Sequence, residues 1–166
     1  MLGVWHLILA GKLMLQTVTP TSIENLYNRD FQLWLAATVE SLRSGDFEQL
    51  DRVHLIEEIE ALGKRDQREL QSRLIVLLAH LLKRCYVNSP DDFRGWEVTI
   101  REQRDELELL LTDSPSLQNT WESCFQACWE KALQQVKTGY AGVEFPIDFP
   151  FSSEINIALS QRFWES

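Results

Sequence analysis

The sequence has few residues that break helices. Its 166 residues include only seven glycines and five prolines, and the prolines lie near the ends of the predicted helices. Glycine and proline interrupt helices more strongly than any other residues, so their scarcity favours long helices over many short strands. No alternation of apolar and polar residues typical of strands occurs. The sequence therefore predicts an all-α protein.

Basic residues are also scarce. The chain has 16 Lys and Arg against 25 Asp and Glu, which gives an acidic protein with a net charge of −9. General affinity for nucleic acid needs clustered Lys and Arg that replace the counterions of the phosphates. The sequence contains no run of basic residues, so we expect no nucleic-acid partner.

Only three cysteines occur: Cys85, Cys124 and Cys128. An odd number without a secretory signal is typical of the reducing cytoplasm, where we expect this protein. Cys124 and Cys128 lie four residues apart on one predicted helix face and are predicted to pack in the core. A zinc site would need two more ligands at suitable spacing, and the sequence offers none. We expect no cofactor.

No apolar run is long enough to span a bilayer. Residues 1–16 are largely apolar, but Lys12 interrupts them and they fall short of the ~20 residues that a spanning helix needs. They also lack the basic start of a signal peptide. We treat residues 1–20 as an N-terminal extension, either docked or the product of a start codon placed too early. A peripheral membrane anchor is the alternative, and otherwise we expect no membrane contact.

Capping residues and apolar periodicity predict the first helical region. Thr21 and Glu24 have the spacing of a capping box, so a helix is predicted to begin there. Asp30 either caps a second start or is buried with a partner. Gly45 is predicted to end the region, because glycine adopts the left-handed conformation at little cost. The predicted buried face carries Leu26, Tyr27, Trp34, Thr38 and Ser41, with Phe31, Leu35 and Leu42 beside it.

A long central helix is predicted over residues 51–86. Asp51 is a suitable N-cap, and leucines and isoleucines keep helical phase as far as Cys85. A straight helix of this length would measure about 54 Å. Gly63 costs roughly 1 kcal/mol inside a helix, so we expect a bend near Gly63 without a full loop.

Two further helices and a tail complete the prediction. Ser89-Pro90 and Ser114-Pro115 are both typical of helix starts, and the second helix is predicted to stop near Gly139. The tail is predicted to be an extended strap followed by a short helix capped by Ser152 or Ser153. Residues 21–166 are thus predicted to form a single compact bundle of four to five main helices.

The six tryptophans fall into two groups. Trp34, Trp96 and Trp121 lie on apolar stripes and are predicted to be core residues. Trp5, Trp129 and Trp164 lie off the stripes or near the termini. If they are exposed and grouped, they would mark an interface.

Several short residue combinations together resemble a known family. They are Leu26-Tyr27, Asp30-Phe31, Trp34-Leu35, Leu50-Asp51, residues 55–59, Leu62-Gly63, residues 80–83, residues 115–117, and Trp96, Ile100 and Arg104 at their spacing. With these residues the chain resembles a cyanobacterial family catalogued as domain of unknown function twenty-nine. The resemblance covers roughly residues 26–156. It implies a compact helical domain in the bacterial cytoplasm and carries over no catalytic residue, and residues 1–16 lie outside it.

Arg104 is the most unusual charge in the sequence. It lies within the apolar stripe of the helix predicted to begin at Pro90. An unpaired buried charge costs several kcal/mol, so a buried Arg104 needs a carboxylate, a set of carbonyls or a bound anion. The alternative is that its side chain reaches solvent.

Polar residues on the central helix suggest two hypotheses for Arg104. In the first, Glu58 or Asp30 forms a bidentate bridge to Arg104 within a buried network that fixes the register of the helices. That network would comprise Asp30, Glu58, Glu69, Arg73, His80 and Arg104. In the second, His80 or Glu58 acts as a base in a pocket where Arg104 or Lys83 holds an anion.

A possible metal site is a further alternative. Asp51, His54, Glu57 and Glu58 lie on one helical surface, and bundles can hold metals through carboxylate and imidazole ligands at such spacing. No second helix repeats the pattern, so a solvated acidic face is the favoured interpretation and we expect no metal. Asp51, His54 and Glu58 stay as the candidate ligands.

The sequence contains no phosphate-binding glycine loop, nucleophile elbow or Cys/His zinc pattern. We therefore predict a non-enzymatic interaction or regulatory module that binds another protein or associates with itself through an aromatic-rich face. The alternative is a small enzyme with an acid–base pocket. Its candidate residues are Glu58, His80, Lys83 and Arg104.

Overall fold

A computed structural model of the chain describes residues 23–165, with side chains described from residue 26. Helices dominate, and no strand occurs in this range, which confirms the all-α prediction. Six α-helices and a 3-10 turn follow in order: α1 Ile23–Arg29, α2 Phe31–Ser44, α3 Arg52–Tyr86, α4 Pro90–Asp113, α5 Leu117–Gly139, α6 Ile155–Ser160 and the turn Phe163–Glu165.

The contacts divide the described chain into two units, residues 23–58 and residues 59–165. The first contains α1, α2 and the start of α3, and the second contains the rest of α3 with α4, α5 and α6. Each unit is described by itself. A single helical domain over residues 21–166 stays a prediction.

Local capping sets the ends of α2. Asp30 is the N-cap, and its side chain accepts a hydrogen bond from Leu33 N at 3.0 Å. Gly45 follows the helix in the left-handed region, with φ of 76°, so the predicted stop is confirmed. The predicted start at Thr21 lies outside the described residues. Trp34, Thr38 and Ser41 are buried as predicted.

The helix α3 runs from Arg52 to Tyr86 without a loop at Gly63. Its predicted N-cap is confirmed, because Asp51 Oδ1 accepts a hydrogen bond from His54 N at 3.3 Å. The carbonyl of Asp51 also accepts from Leu55 N at 3.1 Å. The bend near Gly63 stays a prediction.

The core of residues 59–165 is built on the leucine stripe of α3. Leu70, Leu74, Leu77 and Leu81 are almost fully buried, and each stabilises the fold by roughly 1.5–3 kcal/mol through the apolar area it removes from water. They belong to one cluster with apolar residues of α4 and α5. The contributors from those helices include Trp96, Ile100, Leu107, Leu111, Trp121, Phe125 and Leu133.

The helix α4 begins as predicted and α5 does not. Pro90 is the first residue of α4, and Asp91 and Asp92 lie in its first turn. The predicted start of α5 at Ser114 is wrong, because Ser114 ends α4 by donating its N–H to Leu110 O at 2.9 Å. Its carbonyl accepts from Leu117 N at 2.9 Å, and α5 begins only at Leu117.

The segment between α5 and α6 packs on a second face of α5. The ring of Phe149 lies 5.1 Å from that of Trp129, and Trp129 Nε1 donates to Ile147 O at 3.0 Å. Trp129 is therefore fully buried and is a core residue instead of part of an exposed aromatic group. The short helix α6 has Glu154 as its N-cap instead of Ser152 or Ser153. Trp5 lies outside the described residues.

Cys124 and Cys128 are buried free thiols, as predicted for core residues. Burial is the main reason that the pKa of Cys128 rises to about 12. Within residues 23–165 no helix is both long enough and apolar enough to cross a bilayer.

Candidate functional site

Asp51 is the centre of a polar cluster within residues 23–58. Its side chain is almost fully buried, and one carboxylate oxygen accepts from Trp34 Nε1 at 3.1 Å. The same oxygen lies 2.5 Å from His54 Nδ1. Because a carboxylate only accepts, the proton of the imidazole lies on Nδ1. We call Tyr27, Trp34, Asp51, His54 and Glu58 the Asp51 cluster.

The hydrogen bonds of Asp51 oppose the effect of its burial. Burial alone would raise the pKa of the Asp51 carboxyl group. The hydrogen bonds from His54 and Trp34 and the charge of His54 outweigh burial and lower that pKa below its ordinary value. The carboxylate form is thus the one that this environment stabilises.

Tyr27 joins α1 to the same cluster. Its ring stacks on the ring of His54 with centroids 3.9 Å apart, and its hydroxyl donates to Glu58 Oε1 at 2.6 Å. The hydrogen bond to Glu58 is the main reason that the pKa of Tyr27 is raised. The cluster therefore connects α1, α2 and the start of α3 through side chains of all three helices.

The Asp51 cluster does not have the arrangement of a metal site. Asp51 is occupied by Trp34 and His54, and Glu58 is occupied by Tyr27. Among the described residues, no group of three His, Cys, Asp or Glu side chains could hold a metal ion. The Asp51 cluster orients the His54 imidazole and caps the start of α3.

His80 and Lys83 lie in a different environment on α3. The ring of His80 is half-buried, and its Nδ1 donates to Val76 O at 2.8 Å. Burial lowers the pKa of His80, and the charge of Lys83 lowers it further against the opposing effect of the Val76 carbonyl. Burial also lowers the pKa of Lys83.

Arg104 binds backbone carbonyls. Its Nε donates to Ala158 O at 3.0 Å, and its Nη2 donates to Gln161 O at 2.6 Å. The acceptors of Arg104 are therefore a set of carbonyls at the end of α6, one of the three kinds of partner expected for a buried Arg104. Its Nε and Nη2 are used by these carbonyls and not by the hypothesised carboxylate of Glu58 or Asp30. The last carbonyls of a helix lack partners within the helix. They are therefore free to accept the hydrogen bonds that the half-buried guanidinium of Arg104 donates.

The six residues of the predicted network are spread over separate interactions. Arg73 pairs with Glu69 at 2.8 Å and with Glu106 at 3.2 Å, and Asp30 is occupied as the cap of α2. No hydrogen bond within the described part of the chain joins His80 or Lys83 to Arg104. The structure thus contains separate interactions instead of a single network, because these side chains have different partners on α1, α4, α6 and their own helices.

The sequence pattern does not identify the partners of the polar ends of Tyr27 and Trp34. Trp34 is fully buried as predicted, whereas Tyr27 is only partly buried. A tyrosine hydroxyl and an indole N–H need hydrogen-bond acceptors when they are buried. This requirement could have predicted that both residues bind carboxylates at the central helix. Asp51 was identified as a cap, and its second role as acceptor for Trp34 was not.

The helix α2 buries Trp34 and two small polar residues but exposes most of its other large apolar residues. Thr38 is only 1% exposed and Ser41 only 9%, whereas Leu35 is 41% exposed and Leu42 is 45% exposed. Phe31 is also exposed, and Val39 is partly so. These four apolar residues, Phe31, Leu35, Val39 and Leu42, lie along one side of α2, and we call them the α2 stripe.

Comparison with known proteins identifies the family. Residues 26–164 match the family described as Domain of unknown function DUF29. The chain belongs to the DUF29 family. No curated protein and no solved structure matches the chain. The DUF29 match includes the Asp51 cluster, the α2 stripe and Arg104, so all three features lie in the family domain.

Proposed function

We propose that this DUF29 chain is a non-enzymatic interaction module that associates with a second copy of itself through the α2 stripe. The observation that carries the proposal is that α2 buries the small polar residues Thr38 and Ser41 while it exposes Leu35 and Leu42. A surface helix normally turns its leucines towards the core. A helix that exposes them along one side has the pattern of a helix that packs against a partner.

The charges at the two ends of α2 favour a second copy as that partner. In an antiparallel pair with its two-fold axis between residues 36 and 37, Phe31 lies opposite Leu42 of the second copy. Asp30 then lies level with Arg43 of the second copy along the helix axis, so an acidic and a basic residue share the same level at both ends. Arg43 makes no ion pair with any described residue. Such an interface is isologous and closes as a dimer.

The Asp51 cluster supports this function by fixing α2. Trp34 lies on the buried side of α2 and donates to Asp51 at the start of α3. A helix that is held through Trp34 presents its exposed side in one orientation, and this lowers the entropic cost of binding.

The enzyme alternative has less support. It requires Glu58, His80, Lys83 and Arg104 to converge around one reacting group. Glu58 accepts from Tyr27, His80 donates to Val76 O, and Arg104 donates to carbonyls after α5. The cytoplasm stays the proposed location, because the three cysteines of the described residues are free thiols.

Sedimentation velocity over a range of concentrations tests the proposal. At about 100 µM, we expect the wild type to sediment as a dimer with twice the chain mass of 19.3 kDa. Leu35→Glu/Leu42→Glu, which places like charges in the stripe, should weaken dimerisation by more than about tenfold. The control is Leu109→Glu, a substitution on α4 at a side chain that is 57% exposed. It should change the dissociation constant of the dimer by less than about twofold.

Circular dichroism establishes that each variant keeps its helices. A wild type that stays monomeric at about 100 µM would contradict self-association. Equal weakening by Leu109→Glu would show that the α2 stripe is not the interface.

A further inference from the structure

A cavity of about 480 Å³ in residues 59–165 is lined by four arginines. Arg94, Arg101 and Arg104 lie along one side of α4, and Arg162 follows α6. The chain as a whole carries a net charge of −9 with only 16 basic residues. A quarter of the basic residues therefore lines a single cavity of an acidic protein. We call this the arginine cavity.

The carboxylates of the cavity do not balance its arginines. Two acidic residues line it, Glu97 and Asp105. Glu97 is held by Arg84, which is not a lining residue, with Nε and Oε1 2.6 Å apart. Neither Arg94 nor Arg101 forms an ion pair with any described residue. Arg162 pairs with Glu165, which does not line the cavity, with Nη1 and Oε1 2.9 Å apart. The positive charge of the cavity therefore exceeds the negative charge available to neutralise it.

Arg104 holds two sides of the cavity together. Its hydrogen bonds to Ala158 O and Gln161 O use Nε and Nη2 and fix the residue that precedes Arg162. Burial is the main reason that the pKa of Arg104 is lowered, and the positive charge of Arg162 lowers it further. Both guanidinium groups line the cavity, and a bound anion would reduce the repulsion between them.

We propose that the arginine cavity binds a small molecule that carries two or more phosphate groups. Arginine is the side chain best suited to phosphate, because its planar fork can donate two parallel hydrogen bonds. The volume of the cavity lies within the roughly 300–1,000 Å³ of small-molecule sites. Trp164 adds a flat apolar surface to the lining. This binding site is independent of the α2 stripe.

Isothermal titration calorimetry with two probes tests the proposal. The probes are inorganic tripolyphosphate and ATP, both without divalent cations and at low salt. We expect saturable binding of tripolyphosphate to the full chain with Kd below about 1 mM. Arg94→Gln/Arg101→Gln should weaken it by more than about tenfold.

The control double variant is Arg65→Gln/Arg68→Gln. It makes the same change in net charge at exposed arginines of α3 that do not line the cavity. This control should weaken binding less than about twofold. Circular dichroism establishes that both double variants keep their helices.

The two probes separate the sources of affinity. Binding of both probes, or of tripolyphosphate alone, supports recognition of the phosphate groups. Binding of ATP alone, with the same loss in Arg94→Gln/Arg101→Gln, supports a cavity that also contacts the base. The proposal is overturned if neither probe binds below about 5 mM, or if the control double variant weakens binding as much as the cavity variant.

Discussion

At the scale of single residues, Asp51 serves two purposes in one buried carboxylate. It accepts from His54 N at the start of α3, and it accepts from the indole of Trp34 on α2. Hydrogen bonds to an ionised group are each worth roughly 1.5–3 kcal/mol. The same residue therefore starts one helix and attaches another to it.

The variant Asp51→Asn tests this double role. The amide keeps one accepting oxygen, so it can accept either from His54 N, as Oδ1 does, or from Trp34 Nε1 and His54 Nδ1, as Oδ2 does. We expect the free energy of unfolding near pH 7 to fall by about 2 kcal/mol, measured by urea denaturation. The control Asp46→Asn, at an exposed residue in the turn after α2, should change it by less than about 0.5 kcal/mol.

The pH dependence of the same variant has a definite sign. The pKa of Asp51 is lowered in the folded protein, so the folded state favours the carboxylate more than the unfolded state does. Its contribution is complete above the ordinary aspartate pKa of about 3.9 and is lost as the pH falls through the folded value. The difference between wild type and Asp51→Asn should therefore shrink below about pH 4. A difference that grows there would contradict the assignment.

At the scale of helices, two glycines have opposite roles. Gly63 lies inside α3, and a Cβ atom built there would meet nothing within 4 Å. Gly63→Ala should therefore raise the free energy of unfolding by about 0.5–1 kcal/mol. Gly45 has a φ of 76°, so Gly45→Ala should lower it by about 1 kcal/mol.

Chemical denaturation of the two alanine variants checks this pair. Because both substitutions add the same methyl group, their opposite effects would isolate the backbone conformation as the cause. A loss of stability in Gly63→Ala would contradict a regular helix at that residue. It would instead favour the bend that the sequence predicts near Gly63.

The helix ends were predictable where a local signal exists. Asp30, Gly45, Asp51 and Pro90 act through their own backbone or side chain on residues within four positions, so the sequence alone contains the information. The start of α5 was missed because Ser114 and Pro115 form a turn that ends α4 before α5 begins. Serine followed by proline is typical of both arrangements.

Contacts distant in sequence were predictable only in part. The stripe residues Trp34, Trp96 and Trp121 are buried as expected, since periodicity identifies the inner face of a helix. Trp129 was missed because residues after α5 cover a second face of that helix. The partners of Arg104 were missed because backbone carbonyls exist at every residue and carry no signal in the sequence.

At the scale of the whole molecule, the two proposed activities belong to separate units. The α2 stripe lies within residues 23–58, and the arginine cavity lies within residues 59–165. The two sites share no residue, so substitutions in one are expected to leave the other intact. Each proposal can therefore be contradicted without affecting the other.

A distance between spin labels on two copies tests whether the copies pair through antiparallel α2 helices. Single cysteines would replace Ala36 or Ser44 in a chain whose three native cysteines are replaced by serine or alanine. In the antiparallel pair, the two labels at residue 36 lie beside the two-fold axis. The labels at residue 44 are separated along the helix axis by about 22 Å, at 1.5 Å per residue.

Electron–electron dipolar spectroscopy measures the distance between the labels on the two copies. We expect this distance to be at least about 10 Å longer for labels at residue 44 than for labels at residue 36. Equal distances at the two positions would indicate a parallel pair. The absence of any dipolar coupling at about 100 µM would contradict pairing through α2 altogether.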